Sequence, residues 1–85
     1  MMEKNVLLVL VDKRKDEAVA VQKILTEWGC LIKTRIGLHD GVLDKCSDSG
    51  LIIMELAGDK EKHTQLNTLL KNLPGVTTNL VEMAL

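Results

Sequence analysis

Val6-Leu7-Leu8-Val9-Leu10-Val11 is six consecutive apolar residues close to the N-terminus, ended by a charge cluster that begins at Asp12. A run this short, rich in β-branched valine, fits a strand better than a helix. Its two parities are equally apolar: Val6, Leu8 and Leu10 on one, Leu7, Val9 and Val11 on the other. A strand apolar on both faces lies inside a sheet with something packed over each side. The rest of the chain must therefore supply cover twice.

Two helices are legible. Ala18, Val21, Ile24, Leu25 and Trp28 recur at spacings of three and four, which predicts an amphipathic helix over Asp16–Trp28, stopped by Gly29. Asp12 is a candidate cap, while Lys13, Arg14 and Lys15 oppose the helix dipole and blur the boundary. Leu66, Leu69, Leu70 and Leu73 give a second stripe, with Asp59 as cap, Glu61 in the first turn and Pro74-Gly75 as the stop. His63 is placed at the surface or margin of this helix.

Three further strands follow from alternation. Leu31–Leu38 places Ile32, Thr34, Ile36 and Leu38 on one parity and Lys33, Arg35 and Gly37 on the other. Gly37 inside it suggests a bulge or a close backbone approach. Leu51–Leu56 is the apolar counterpart of the first run. Val76–Leu85 changes parity midway, which a bulge near Asn79–Val81, or a tail leaving the sheet toward another subunit, would reconcile. Asp40-Gly41 and Asp48-Ser49-Gly50 are turn signals in a long connection between the second and third strands.

The order β-α-β-β-α-β is that of a ferredoxin-like α+β sandwich, a four-stranded antiparallel sheet with two helices on one face. Strands one and three are then central, and the charged Lys33–Arg35 run falls on an edge, where it resists stray pairing. Both helices cover one side. The other side keeps an apolar patch of roughly a few hundred Å², the kind that marks an interface. A second copy of the chain is the expected cover, because cyclic homo-oligomers dominate. The contact residues expected on that face are Val6, Leu8, Leu10, Leu51, Ile53, Val81 and Met83. A partner protein, or a missing segment of a longer chain, is the alternative cover.

Composition bounds the function. Eighty-five residues predict one small domain, residues 1–85. Eleven basic and twelve acidic side chains give a formal charge of −1, and with almost no aromatic residues this argues against direct nucleic-acid binding. The first apolar run is too short to span a bilayer and lacks the flanks of a signal peptide. Two lone cysteines, Cys30 and Cys46, fit a reducing compartment, so a cytoplasmic location is expected, with Cys30 a small buried hydrophobe.

No catalytic constellation stands out: the chain has no G-x-S-x-G, H-E-x-x-H, Walker loop or C-x-x-C. His39, Asp40, Asp44 and Cys46 offer nitrogen, oxygen and sulfur donors at a spacing that matches no strong metal signature. Asp12, at the carboxyl end of a central strand, and Arg35, Gly37 and His39, on or beside the second strand, are the candidate ligand-binding residues.

Several phrases resemble the small ACT-like proteins called iron-only hydrogenase system regulators. They are the strand Val6–Val11 with the helix start Asp12–Glu17, the turn Glu27-Trp28-Gly29, Arg35-Ile36-Gly37-Leu38, the strand Leu51–Leu56, and Leu69-Leu70-Lys71-Asn72-Leu73-Pro74-Gly75-Val76. The likeness covers nearly the whole chain. That family is similar in fold to the tetramer-forming, ligand-binding domain of nickel-responsive repressors, whose nickel is held by several histidines and a cysteine; only His39 and Cys46 could play that part here. Amino-acid-binding ACT domains carry a glycine in the first strand-to-helix loop, where this chain has Asp12-Lys13-Arg14-Lys15. The resemblance implies a non-catalytic regulatory or small-ligand-sensing module that forms a homodimer or homotetramer through the open sheet face, with a small-molecule effector. A metal-binding accessory or sensor protein is the alternative, and a small ferredoxin-like enzyme a third class.

Overall fold

The computed structural model describes residues 2–12, 18–39 and 49–85. Strand β1 is Glu3–Asp12, helix α1 Ala18–Glu27, β2 Ile32–His39, β3 Ser49–Leu56, α2 Lys60–Lys71 and β4 Val76–Ala84. The sheet order is β2-β3-β1-β4, and every neighbouring pair is antiparallel. This is the ferredoxin-like βαββαβ sandwich, with the two most apolar runs in the centre and β2 and β4 at the edges.

Burial assigns the faces. Leu7, Val9 and Val11 of β1 are at most 5% exposed, and with Ile52, Met54 and Leu56 of β3 they form the sheet side of the core. Val21 and Leu25 of α1, and Leu66 and Leu70 of α2, close over them. Both helices therefore cover the odd-numbered face of β1. Thr78 of β4 ties α2 to the sheet edge by donating from Oγ1 to Asn67 Oδ1 at 2.5 Å.

His63 is 1% exposed rather than marginal. It heads the buried stripe His63-Leu66-Leu70, while Leu69 turns outward at 43% exposure. Its Nε2–H donates to the Ala57 carbonyl at 2.6 Å, which pins the first turn of α2 to the end of β3. That bond satisfies one polar atom of the buried ring; Nδ1 is without a hydrogen-bond partner among the described residues. Cys30, expected inside, is exposed, because a 3-10 turn over Gly29–Leu31 carries it around the end of α1. Asp59 sits at the N-cap of α2 but makes no side-chain capping bond; its carbonyl accepts from the Lys62 and His63 amides instead.

Two expected irregularities lie elsewhere. β4 pairs with β1 without interruption from Val76↔Val11 to Ala84↔Glu3, so Asn79–Val81 holds no bulge. Leu85 does not leave the sheet: its amide donates to the Met2 carbonyl at 2.9 Å. The change of parity arises because β4 is apolar on both faces in turn, with Val76 and Leu80 toward the core and Val81 and Met83 away from it. The bulge lies in β2, where Ile32 pairs with Leu56 and Thr34 with Glu55, leaving Lys33 as the extra residue. One extra residue exchanges the two faces of a strand. Ile32 thus packs on the core, whereas Ile36 and Leu38, of the same numerical parity, point away from the helices. At Gly37 a Cβ would meet nothing within 4 Å, so neither a bulge nor a close approach explains that glycine.

Candidate functional site

Two surfaces carry candidate chemistry. The first is the sheet face away from the helices. Register places Val6, Leu8 and Leu10 of β1 beside Glu55, Ile53 and Leu51 of β3, and beside Val81, Asn79 and Thr77 of β4. Ile36 and Leu38 extend this field across β2, and Met83 prolongs it beside Lys4. Leu10 is 44% exposed although its strand is central, with Ile36 at 49%, Leu38 at 45% and Met83 at 62%. Val6, Leu8, Leu51, Ile53 and Val81 are half-buried by their neighbours within the sheet. No described element of the chain packs over this field.

A charged margin borders it. Glu55 Oε2 accepts from Lys4 Nζ at 3.0 Å and from Lys33 Nζ at 3.4 Å. The hydrogen bond from Lys4 is the largest cause holding the Glu55 carboxyl below the usual glutamate range; desolvation opposes it, and the hydrogen bond from Lys33 and the charges of both lysines add to the lowering. On the helix side, Lys60 reaches Glu3 at 2.5 Å and Glu82 at 3.8 Å. The Glu3 carboxylate raises the Lys60 ammonium above its ordinary value.

The second surface is a cleft of about 310 Å³ between α1 and the β2–β3 pair, at the small end of the range for ligand pockets. Buried Val11, Val21 and Ile52 form its floor, and exposed Gln22 and Arg35 its rim. Gly37 lines it, and the open space around its missing side chain is part of its volume. Arg35 Nη2 donates to Gln22 Oε1, joining the β2 edge to α1. The bulge at Lys33 makes this possible, since it turns Arg35 and Gly37 to the helix side.

Of the candidate ligand residues, Arg35 and Gly37 are thus together on one cleft. Asp12 is at the end of β1 opposite Ser49, on the other face by register, and its amide donates to the Gly75 carbonyl at 2.8 Å. His39 closes β2 opposite Gly50, and its side chain lies outside the described residues, as do Lys13–Glu17, Asp40, Asp44 and Cys46. Among the described residues no group of three or more His, Cys, Asp or Glu side chains is placed to hold a metal ion. Gln22 escaped the sequence reading because it looks like an ordinary solvated helix residue; its one signal is the i,i+4 step from Ala18, which also lines the cleft. No described helix is long and apolar enough to cross a membrane.

No protein-family model matches the chain, and no curated protein matches it. Solved structures do. An uncharacterized protein from Thermotoga maritima is similar with a TM-score of 0.81 at 20% identity, over 98% of this chain and 100% of that one. A nitrogen regulatory PII-like protein from Thiomonas intermedia K12, bound to ADP, AMP and bicarbonate, is similar at 0.57 and 12% identity, over 98% and 94% of the two chains. The apo form of that protein gives 0.58 at 11% identity, over 96% and 90%. At these identities the likeness is one of fold: this chain has the ferredoxin-like architecture that a PII-like regulatory protein also uses.

Proposed function

We propose that the chain is a non-catalytic regulatory module that assembles with copies of itself through the open sheet face and senses a small ligand. The observation that carries this reading is the uncovered apolar field on two central strands. Leu8, Leu10, Leu51 and Ile53 occupy the middle of a sheet, where a stable monomer would place polar side chains if that face met water. The field ends in the Lys4–Glu55–Lys33 cluster, so a second copy finds an apolar centre and a charged rim, the usual anatomy of an interface. Regulation and small-ligand sensing are supported by two likenesses: the sequence phrases shared with the hydrogenase system regulators, and the fold shared with a nitrogen regulatory PII-like protein bound to ADP, AMP and bicarbonate. A cytoplasmic setting suits two lone cysteines, with Cys30 exposed. The metal-accessory reading would rest on His39 and Cys46, to which the described residues add no ligand set.

Sedimentation velocity from sub-micromolar to about 100 micromolar protein tests the proposal. A dimer or tetramer through the micromolar range supports it. A monomer at every concentration removes it.

A further inference from the structure

The cleft beside Arg35 has a polar inventory that specifies the charge of its ligand. Among the described lining residues two side chains are polar, Gln22 and Arg35. Among the described lining residues Gln22 Oε1 is the one side-chain acceptor, and the Arg35 guanidinium takes one of its two lone pairs. A guanidinium carries five N–H donors and cannot accept, and the glutamine amide nitrogen carries two more donors. The described side-chain groups that face a ligand are therefore mostly donors, and one of them is a fixed positive charge. Every other described side chain in the lining is aliphatic, and Gly37 and Gly50 contribute none.

We infer that this cleft binds a small aliphatic monocarboxylate. Its carboxylate meets the free N–H groups of Arg35 and the Gln22 amide, and its hydrocarbon lies over Val11, Val21 and Ile52. The inference rests on the ligand-sensing half of the function proposed above and gives that ligand a chemical class. It also separates that class from two neighbours. An amino acid would bring an ammonium beside the like-charged Arg35 guanidinium, where the described lining offers one side-chain acceptor that Arg35 already shares. A nucleoside diphosphate would bring several negative charges to a described lining with one cation. Gly37 has a defined part: it faces the cleft from β2, and any side chain there fills the space that the hydrocarbon would take.

The test uses the whole chain and four probes: isocaproate, the corresponding alcohol, leucine (isocaproate bearing an α-ammonium) and ADP. Binding is read by calorimetry and by amide chemical shifts. The inference expects isocaproate to bind, with shifts at Gln22, Arg35, Gly37 and Gly50, and the alcohol and leucine to bind about tenfold more weakly or not at all. Arg35→Gln should weaken isocaproate about tenfold or more without changing the alcohol, and Gly37→Val should remove both while circular dichroism shows the fold intact. Equal affinity for acid and alcohol overturns the inference, as does leucine or ADP binding more tightly than isocaproate. Shifts centred on Leu8 and Val81 would place any binding on the open face and also overturn it. Failure here in a chain that sediments as an oligomer leaves the assembly proposal standing; isocaproate binding to a strict monomer does the reverse.

Discussion

Leu7 and Leu8 are adjacent in sequence and opposite in consequence. Leu7 is fully buried beneath the helices, so Leu7→Ala removes a packed side chain and leaves a cavity. Such truncations cost about 2–5 kcal/mol. In a domain of this size each kcal/mol lowers Tm by about 4–8 °C, so the melt should fall by roughly 8–40 °C. Leu8 faces the other way, between Ile53 and Asn79. Leu8→Asp should cost folding only about 1 kcal/mol through strand propensity. In a twofold assembly it counts twice. Leu8 is already half-buried within the sheet, so association buries only its remainder; at about 0.5–1 kcal/mol for each of two copies, its loss weakens association by roughly 5- to 30-fold, before the desolvation of two carboxylates is added. Sedimentation velocity and thermal melts at two protein concentrations read both effects. Wild type should sediment as an oligomer and melt higher when concentrated, because assembly stabilises the fold by mass action. Leu8→Asp should sediment as a folded monomer whose melt no longer depends on concentration. An unchanged sedimentation coefficient for Leu8→Asp, or a melt as low as that of Leu7→Ala, would refute the assignment of faces.

Three other outcomes are expected. Gly58→Ala should destabilise by about 1 kcal/mol or more, seen as a lower urea midpoint with unchanged slope, because Gly58 has φ +85° and a Cβ there lies 3.0 Å from Leu31 Cδ2. His63→Ala should cost about 2–4 kcal/mol in the same assay, since it opens a cavity and orphans the Ala57 carbonyl; a loss below about 0.5 kcal/mol would deny His63 its pinning role. Because the folded Glu55 carboxyl is held low, its ion pairs stabilise above the ordinary glutamate pKa, and that contribution is lost as pH falls through the depressed folded value. Glu55→Gln should flatten this acid limb, and high salt should shrink the difference. Lys60 runs oppositely: its pairing with Glu3 stabilises below the ordinary lysine pKa and is lost as pH rises through the raised folded value, as a pH titration of its side-chain resonances would register.

The two central runs and the two helical stripes were enough to give element order, sheet order and edge strands. They could not give the faces of β1, because Val6, Leu8 and Leu10 are as apolar as Leu7, Val9 and Val11; three-dimensional burial alone distinguishes the sets. His63 was misplaced because imidazole counts as polar in a periodicity argument, although it heads the stripe containing Leu66 and Leu70. Residue type points to Gly37 for a bulge, but the bulge lies at Lys33, whose side chain gives no such sign. Arg35 and Gly37 were visible as strand residues of unusual type, but Gln22 became a candidate only when α1 was seen to lean over the β2 edge.

The bulge also determines where this protein tolerates a change of length. Lys33 is the residue without a pairing partner, so a deletion there closes the strand into regular register and leaves every later residue of β2 on its present face. The loss is one lysine contact to Glu55. A deletion at Thr34 is taken up the same way, with Lys33 then opposite Glu55, but one at Ile36 has no such slack: either the bulge closes and Arg35 turns to the open face, or the bulge stays and Gly37 and Leu38 exchange faces, so that the cleft and the apolar field change in a single event. Among chains of this architecture, a deletion at position 33 or 34 is therefore silent for the cleft lining and the apolar field, and one at position 36 alters them together.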